Sequence, residues 1–296
     1  MTWASGDRGR LEYFPCRYGN SRIAFRGPRQ SCEGRYVACL GGTETYGRFV
    51  PEPYCAQLET AIGIPCVNFG VVNAGLDAFL CDSTILALAA GAEACVLQVM
   101  GAQNMSNRFY TVHPRRNDRF LRASDALAAL YPEIDFTEHA FTRGMLQALL
   151  EAGPDRFPLV VEELQAAWLA RMRSLLSDLG GTPILLWAAS FTPPERVSYE
   201  EGATLGSDPL FVTRAMLEAL EARVGQVVTY VRSNMAAFTA MEGMVFSDHD
   251  EGAAEQLLGA PAHAEIAELL AERVAQDLAA GGSMEKGRRA GTGLSP

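Results

Sequence analysis

The stretch Tyr36-Val37-Ala38-Cys39-Leu40-Gly41-Gly42-Thr43-Glu44-Thr45-Tyr46-Gly47 decides how this chain is read. An apolar run ending at Leu40 predicts a buried strand, and Gly41-Gly42 ends it abruptly. Thr43 is the first hydroxyl beyond the break, with a carboxylate, Glu44, beside it. A strand that stops at paired glycines before a hydroxyl is the local pattern of a strand-end site in a parallel α/β sheet. The bland alternative is a tight strand-to-helix turn capped by Thr43.

Outward from that stretch, short apolar runs alternate with helical spacing, which predicts an α/β protein with a parallel sheet. Strands are expected near 36–40, 65–69, 94–100, 183–188 and 226–231. Helices are expected from Pro53, over 77–90, over 123–131, 138–151 and 158–179, near 211–223, and over 263–278. In the helix at 158–179, Leu164, Trp168, Met172 and Leu175 fall at amphipathic steps. Residues 1–34 read as an irregular N-terminal arm, 35–280 as one domain with a cap-like helical insertion at about 102–180 after strand three, and 281–296 as a disordered tail. No internal repeat is visible.

Composition narrows the function classes. The chain has 296 residues, 48% hydrophobic and 20% charged, which suffices for a sizeable core. A formal charge of −10 argues against nucleic-acid binding. Lys286 is the sole lysine, so the cations are almost all arginines, suited to planar, bidentate anion recognition. Seven cysteines without a Cys-x-x-Cys pair fit a reducing compartment. The N-terminus shows no secretory h-region and no apolar run is long enough to span a bilayer, so a soluble cytoplasmic protein is expected, with no membrane partner. No phosphate-cradling loop, dinucleotide fingerprint or metal-ligand spacing is present, so no cofactor and no metal are expected. The oligomeric state is left open.

Gly41–Gly47 resembles, without a gap, the Gly-Asp-Ser-Leu-Thr-Tyr-Gly opening of the SGNH (GDSL) hydrolases, with Gly42 at the Asp position and Thr43 at that of the nucleophilic Ser. Three later segments resemble that family in order. Asn68–Gly75 is similar to its Asn-x-Gly-x-x-Gly element, with either Asn73 or Gly75 at the oxyanion-hole glycine. Val99–Asn104 is similar to its Gly-x-Asn-Asp element, with Gln103 in frame and Asn104, one step beyond, preferred. Leu257–Ala267 resembles its closing Asp-x-x-His and helix, with Ala260 at the Asp position and His263 at the base. Shorter phrases, Cys16–Gly19, Phe25–Pro28, Asn73–Gly75 and Ser106–Arg108 among them, resemble an uncharacterised bacterial domain family.

The resemblance implies a three-layer, flavodoxin-like sheet and an O-acyl esterase or acyltransferase. Thr43 would be the nucleophile and His263 the base, with the Thr43 N–H, Asn73 or Gly75, and Asn104 holding the oxyanion. Asp248, Asp250 or Glu251 could orient His263, His249 stands in reserve, and Glu44 could serve as acid, base or hydroxyl ligand. Beside this stands a reading from the residues alone. Arg108, His113, Arg115, Arg116, Arg119 and Arg122, interleaved with Phe109, Tyr110 and Phe120, form a basic loop that could clamp an anionic substrate such as a phosphate, sulfate or uronate group. Three functions therefore compete: ester chemistry on a polar or anionic small molecule or glycan, non-catalytic binding of a glycan or a sulfated or phosphorylated ligand, and sulfuryl or phosphoryl transfer.

Overall fold

The computed structural model describes residues 11–197 and 204–290, with side chains through 279. The N-terminal arm folds back on itself through a bridge between Cys16 and Phe25, which buries Tyr18, Ile23 and Phe25 against the main body. Residues 1–10 of that arm lie outside the described residues.

The chain then enters β1 (Val37–Gly41), turns through α1 (Thr43–Tyr46) and α2 (Tyr54–Ile62), and returns along β2 (Cys66–Gly70). Next come α3 (Asp77–Leu80), α4 (Ser83–Ala90) and β3 (Ala94–Gln98). The segment expected to be a helical insertion opens instead with an antiparallel hairpin, β4 (Tyr110–His113) and β5 (Arg116–Ala123), followed by α5 (Asp125–Leu130), α6 (Thr142–Ala152) and α7 (Phe157–Leu179). The last of these is not a cap. Trp168 is fully buried under the sheet and donates its indole N–H to Met100 O at 2.8 Å, so α7 belongs to the core.

The remaining elements are β6 (Ile184–Ala189), α8 (Arg214–Glu218), β7 (Gln226–Val231), α9 (Asn234–Phe238), α10 (Glu251–Ala254) and α11 (Ala260–Ala290). The last helix runs into the segment expected to be a disordered tail, of which 291–296 lie outside the described residues.

Five strands pair in the order β2-β1-β3-β6-β7, all parallel. Every residue of β1 and β6 is buried, as expected of strands covered on both faces. Ala38, Leu40, Val67, Phe69, Leu97 and Trp187 join the core formed with α4 and α7. Their neighbours Val37, Cys39, Cys66, Val96 and Leu186 turn to the opposite face, against Tyr54 and Leu58 of α2 and Ile266, Leu270 and Val274 of α11. This period-two division gives three layers. From β1 the chain goes first to β2 on one side and then to β3 on the other. The strand order therefore reverses beside β1, and the loops leaving β1 and β3 diverge there.

The helix expected over 77–90 is split. Asp82 ends the first piece and caps the second, accepting from Ile85 N at 3.2 Å while its other oxygen accepts from Ser21 Oγ at 2.6 Å.

Candidate functional site

A cavity of about 500 Å³ opens over the carboxyl ends of the central strands. Its floor contains Thr43 after β1, Asn73 and Ala74 after β2, and Met100–Gly101, Gln103 and Asn104 after β3. Glu44, Arg48, Arg143, Ser190, Asp208, Arg232 and Glu255 stand on its walls.

Thr43 sits at the start of α1 because Gln98 shapes the turn. The buried Gln98 Oε1 accepts from Gly42 N at 2.9 Å, Thr45 N at 3.1 Å and Thr45 Oγ1 at 2.7 Å. Gly47 closes the helix in the left-handed region (φ 71°), where a Cβ would lie 2.4 Å from Pro53 Cβ.

The Thr43 hydroxyl is tied to Asn73. Asn73 N donates to Thr43 Oγ1 at 2.9 Å, and Thr43 Oγ1 donates to Asn73 Oδ1 at 3.2 Å. Asn73 itself adopts φ 54°, a left-handed conformation that asparagine tolerates. Its Nδ2 donates to Asp118 Oδ2 at 3.2 Å, which makes a hydroxyl–amide–carboxylate chain. Between Asn73 and Gly75, it is Asn73 whose N–H meets the Thr43 hydroxyl. The Gly75 N–H is directed to Asn117 Oδ1 at 2.9 Å. Gly75 is needed for close approach: a Cβ there would stand 1.5 Å from Asn104 O.

Both amide candidates after β3 line the cavity and both donate to protein atoms. Asn104 Nδ2 donates to Asn73 O at 3.0 Å, and its Oδ1 accepts from Thr142 Oγ1 at 2.6 Å. Gln103 Nε2 donates to Asp208 Oδ1 at 2.7 Å.

His263 lies within the first turn of α11, fully buried and not among the cavity-lining residues. Its Nδ1 accepts from Tyr54 N at 3.0 Å, so the imidazole lone pair is engaged and the proton sits on Nε2. Nε2 faces Glu44 Oε2 at 3.7 Å. Among the described residues no hydrogen bond joins Thr43 to His263: those of the Thr43 hydroxyl run to Asn73, and that of His263 runs to Tyr54. The carboxylate beside His263 is Glu44, in place of Asp248, Asp250 or Glu251. Asp250 pairs with Arg48 at 3.3 Å, and His249 is exposed on the turn before α10.

The basic loop also takes a different place. It is the β4–β5 hairpin, and none of its arginines lines the cavity. Arg108 pairs with Glu163 at 3.3 Å and packs over Phe109. Arg119 stacks 3.9 Å from the Phe141 ring centre, Arg115, Arg116 and Arg122 are exposed, and His113 Nδ1 accepts from the backbone of Arg115 and Arg116. What the hairpin gives the site is its inner edge, Asn117 and Asp118. The cavity's cations are Arg48, Arg143 and Arg232. Among the described residues, no group of three or more His, Cys, Asp or Glu side chains is placed to hold a metal. No helix among them is long and apolar enough to cross a membrane.

A family model described as Domain of unknown function (DUF6473) matches residues 1–278. The chain belongs to that family. No curated protein matches it. Among solved structures, it is similar to a carbohydrate esterase family 2 enzyme with a carbohydrate-binding domain from Corynascus thermopiles (Myceliophthora fergusii). That similarity has a TM-score of 0.43 and 13% identity, over 86% of this chain and 70% of that one. It is also similar to a gut microbial diltiazem-metabolizing enzyme, with a TM-score of 0.40 and 11% identity, over 81% of this chain and 46% of that one. At these scores neither likeness bears on the chemistry.

In this DUF6473 chain the sequence left four shaping residues unnoticed: Gln98, Asn117, Asp118 and Thr142. Gln98 had a visible signal, a polar residue at the inward end of the most apolar strand. The other three act through partners 24 or more positions away.

Proposed function

We propose that this protein is a non-catalytic, SGNH-like binding domain that holds a polar anionic small molecule, of glycan type or sulfated or phosphorylated, in the cavity over the strand ends. One observation supports this above the others: the groups expected to perform ester chemistry spend their hydrogen bonds inside the protein. The Thr43 hydroxyl is engaged by Asn73, one Asn104 amide proton goes to Asn73 O while its oxygen accepts from Thr142, the Gly75 N–H goes to Asn117, and the His263 lone pair is taken by Tyr54 N. An oxyanion hole works only when its donors are free to meet developing charge. A base works only with an available lone pair. The anion would meet Arg232 on the cavity wall, in the field of Arg48 and Arg143.

The test pairs binding with turnover. Sugar phosphates and sulfates should raise the melting temperature of the wild type, and Arg232→Ala should remove that rise. Aryl acetate hydrolysis should be the same for wild type and Thr43→Ala. Turnover lost specifically in Thr43→Ala would overturn the binding reading.

A second reading, an O-acyl esterase or acyltransferase with Thr43 as nucleophile, is favoured by the meeting of Thr43, Asn73 and Asn104 on one cavity floor. With the His263 lone pair engaged, its base would have to be a cavity carboxylate, Glu44.

A further inference from the structure

Glu44 and His263 stand in the reverse of the order an imidazole base requires. The carboxylate lines the cavity and the imidazole lies behind it, fully buried. Because Tyr54 N–H occupies Nδ1, the ring presents Nε2–H to Glu44 Oε2 across 3.7 Å, and Nε2 has no hydrogen-bond partner among the described residues. Glu44 Oε1 accepts from Leu258 N at 3.3 Å. The Glu44 side chain is 14% exposed, with Oε1 held by the Leu258 N–H and Oε2 facing the buried imidazole. A carboxylate fixed in this way is a preorganised acceptor for a hydroxyl, and a charge-assisted hydrogen bond exceeds a neutral one in strength.

The other two carboxylates on the wall are placed differently. Asp208 Oδ1 already accepts from Gln103 Nε2 and from Leu210 N, and both Asp208 and Glu255 are exposed. The cations divide in the same way. Arg48 pairs with Asp250, and Arg143 donates to the carbonyls of Leu205 and Gly206. The Arg232 guanidinium makes no ion pair or hydrogen bond among the described residues, while its backbone N–H ties β7 to Ala189 O at 2.8 Å. One uncommitted cation and one braced acceptor therefore share the cavity.

We infer that the cavity takes a hydroxylated anion, with the charged group on Arg232 and a hydroxyl on Glu44, and that His263 is the positioning residue for Glu44. This rests on the binding reading above and names its ligand class. Isothermal titration with inorganic phosphate, glucose, and glucose phosphorylated at its primary hydroxyl separates the parts. The sugar phosphate should bind about tenfold or more tighter than inorganic phosphate, which corresponds to about 1.4 kcal/mol, and glucose should bind least. Glu44→Ala should bring the sugar phosphate down to the level of inorganic phosphate. His263→Gln should narrow the preference while leaving the affinity for inorganic phosphate unchanged, a result that also shows the variant is folded. Arg232→Ala should weaken both anions together.

Equal binding of the two anions by the wild type would overturn the hydroxyl subsite. A preference that survives Glu44→Ala would overturn the Glu44 assignment, and one that survives His263→Gln the positioning role, with the binding reading intact in all three cases. If neither anion binds, the binding reading falls and this inference falls with it.

Discussion

Asn73 both donates to and accepts from Thr43: its backbone N–H meets Oγ1 at 2.9 Å and its side-chain Oδ1 receives the hydroxyl proton at 3.2 Å. An amide oxygen is too weakly basic to take a proton from an alcohol, so the pair holds the hydroxyl without activating it. Thr43→Val keeps the side chain's shape and removes both bonds. Because these bonds are solvent-exposed, water replaces them, and chemical denaturation should register a loss of about 1 kcal/mol.

Gln98 carries a heavier burden. Its buried oxygen serves three donors in the β1–α1 turn, so Gln98→Leu strands the Gly42 and Thr45 N–H groups and leaves Thr45 Oγ1 with Tyr54 Oη alone. A loss of about 3 kcal/mol or more is expected in urea unfolding, well above that for Thr43→Val.

Gly75→Ala puts a methyl group where Asn104 O now lies, at 1.5 Å. Backbone cannot yield as a flexible side chain can, so the loops after β2 and β3 must separate. We expect a clear fall in melting temperature together with loss of ligand-induced stabilisation. Gly144→Ala, where nothing lies within 4 Å, serves as the matched control and should unfold at or above the wild-type temperature.

Alkaline pH should destabilise the protein. A hydrogen bond with Cys55, and then burial, pushes the Cys39 thiol above its ordinary value of 9.0; burial does the same to Cys66 and lifts the Tyr18 phenol from 10.0 to about 12. These groups are neutral when protonated, so the unfolded chain releases their protons at lower pH than the folded one. Stability is full below about pH 9 and declines as pH rises toward 12. Thermal melts from pH 8 to pH 11 should show this fall, and Tyr18→Phe should flatten its upper part; a flat wild-type profile would contradict the assignment.

How much of this was legible from residues alone varies with the range of the interaction. The strands were visible because a sheet covered on both faces demands unbroken apolar runs, and β7 falls where the spacing places it. The hairpin was hidden because β4 alternates over only four residues and its partner β5 is mostly polar, with no clean alternation. His263 was found as a residue near the site, but which nitrogen is engaged depends on Tyr54, 209 positions away. The arginines were read as a cluster in sequence. The fold turns them outward on the hairpin and draws Arg48, Arg143 and Arg232 from three separate elements.

The N-terminal arm has a practical meaning for anyone who trims this chain. Arg26, itself buried, donates from its guanidinium to Tyr46 O, Gly47 O and Pro51 O, and Tyr13 Oη accepts from Phe49 N at 2.9 Å. The turn that presents Thr43 and Glu44 is thus fastened by residues that precede β1. A shortened version beginning at the first strand would retain every side chain of the cavity floor and lose the clasp that sets their angle. The working unit starts upstream of Tyr13, and the arm is a component of the pocket in all but contact.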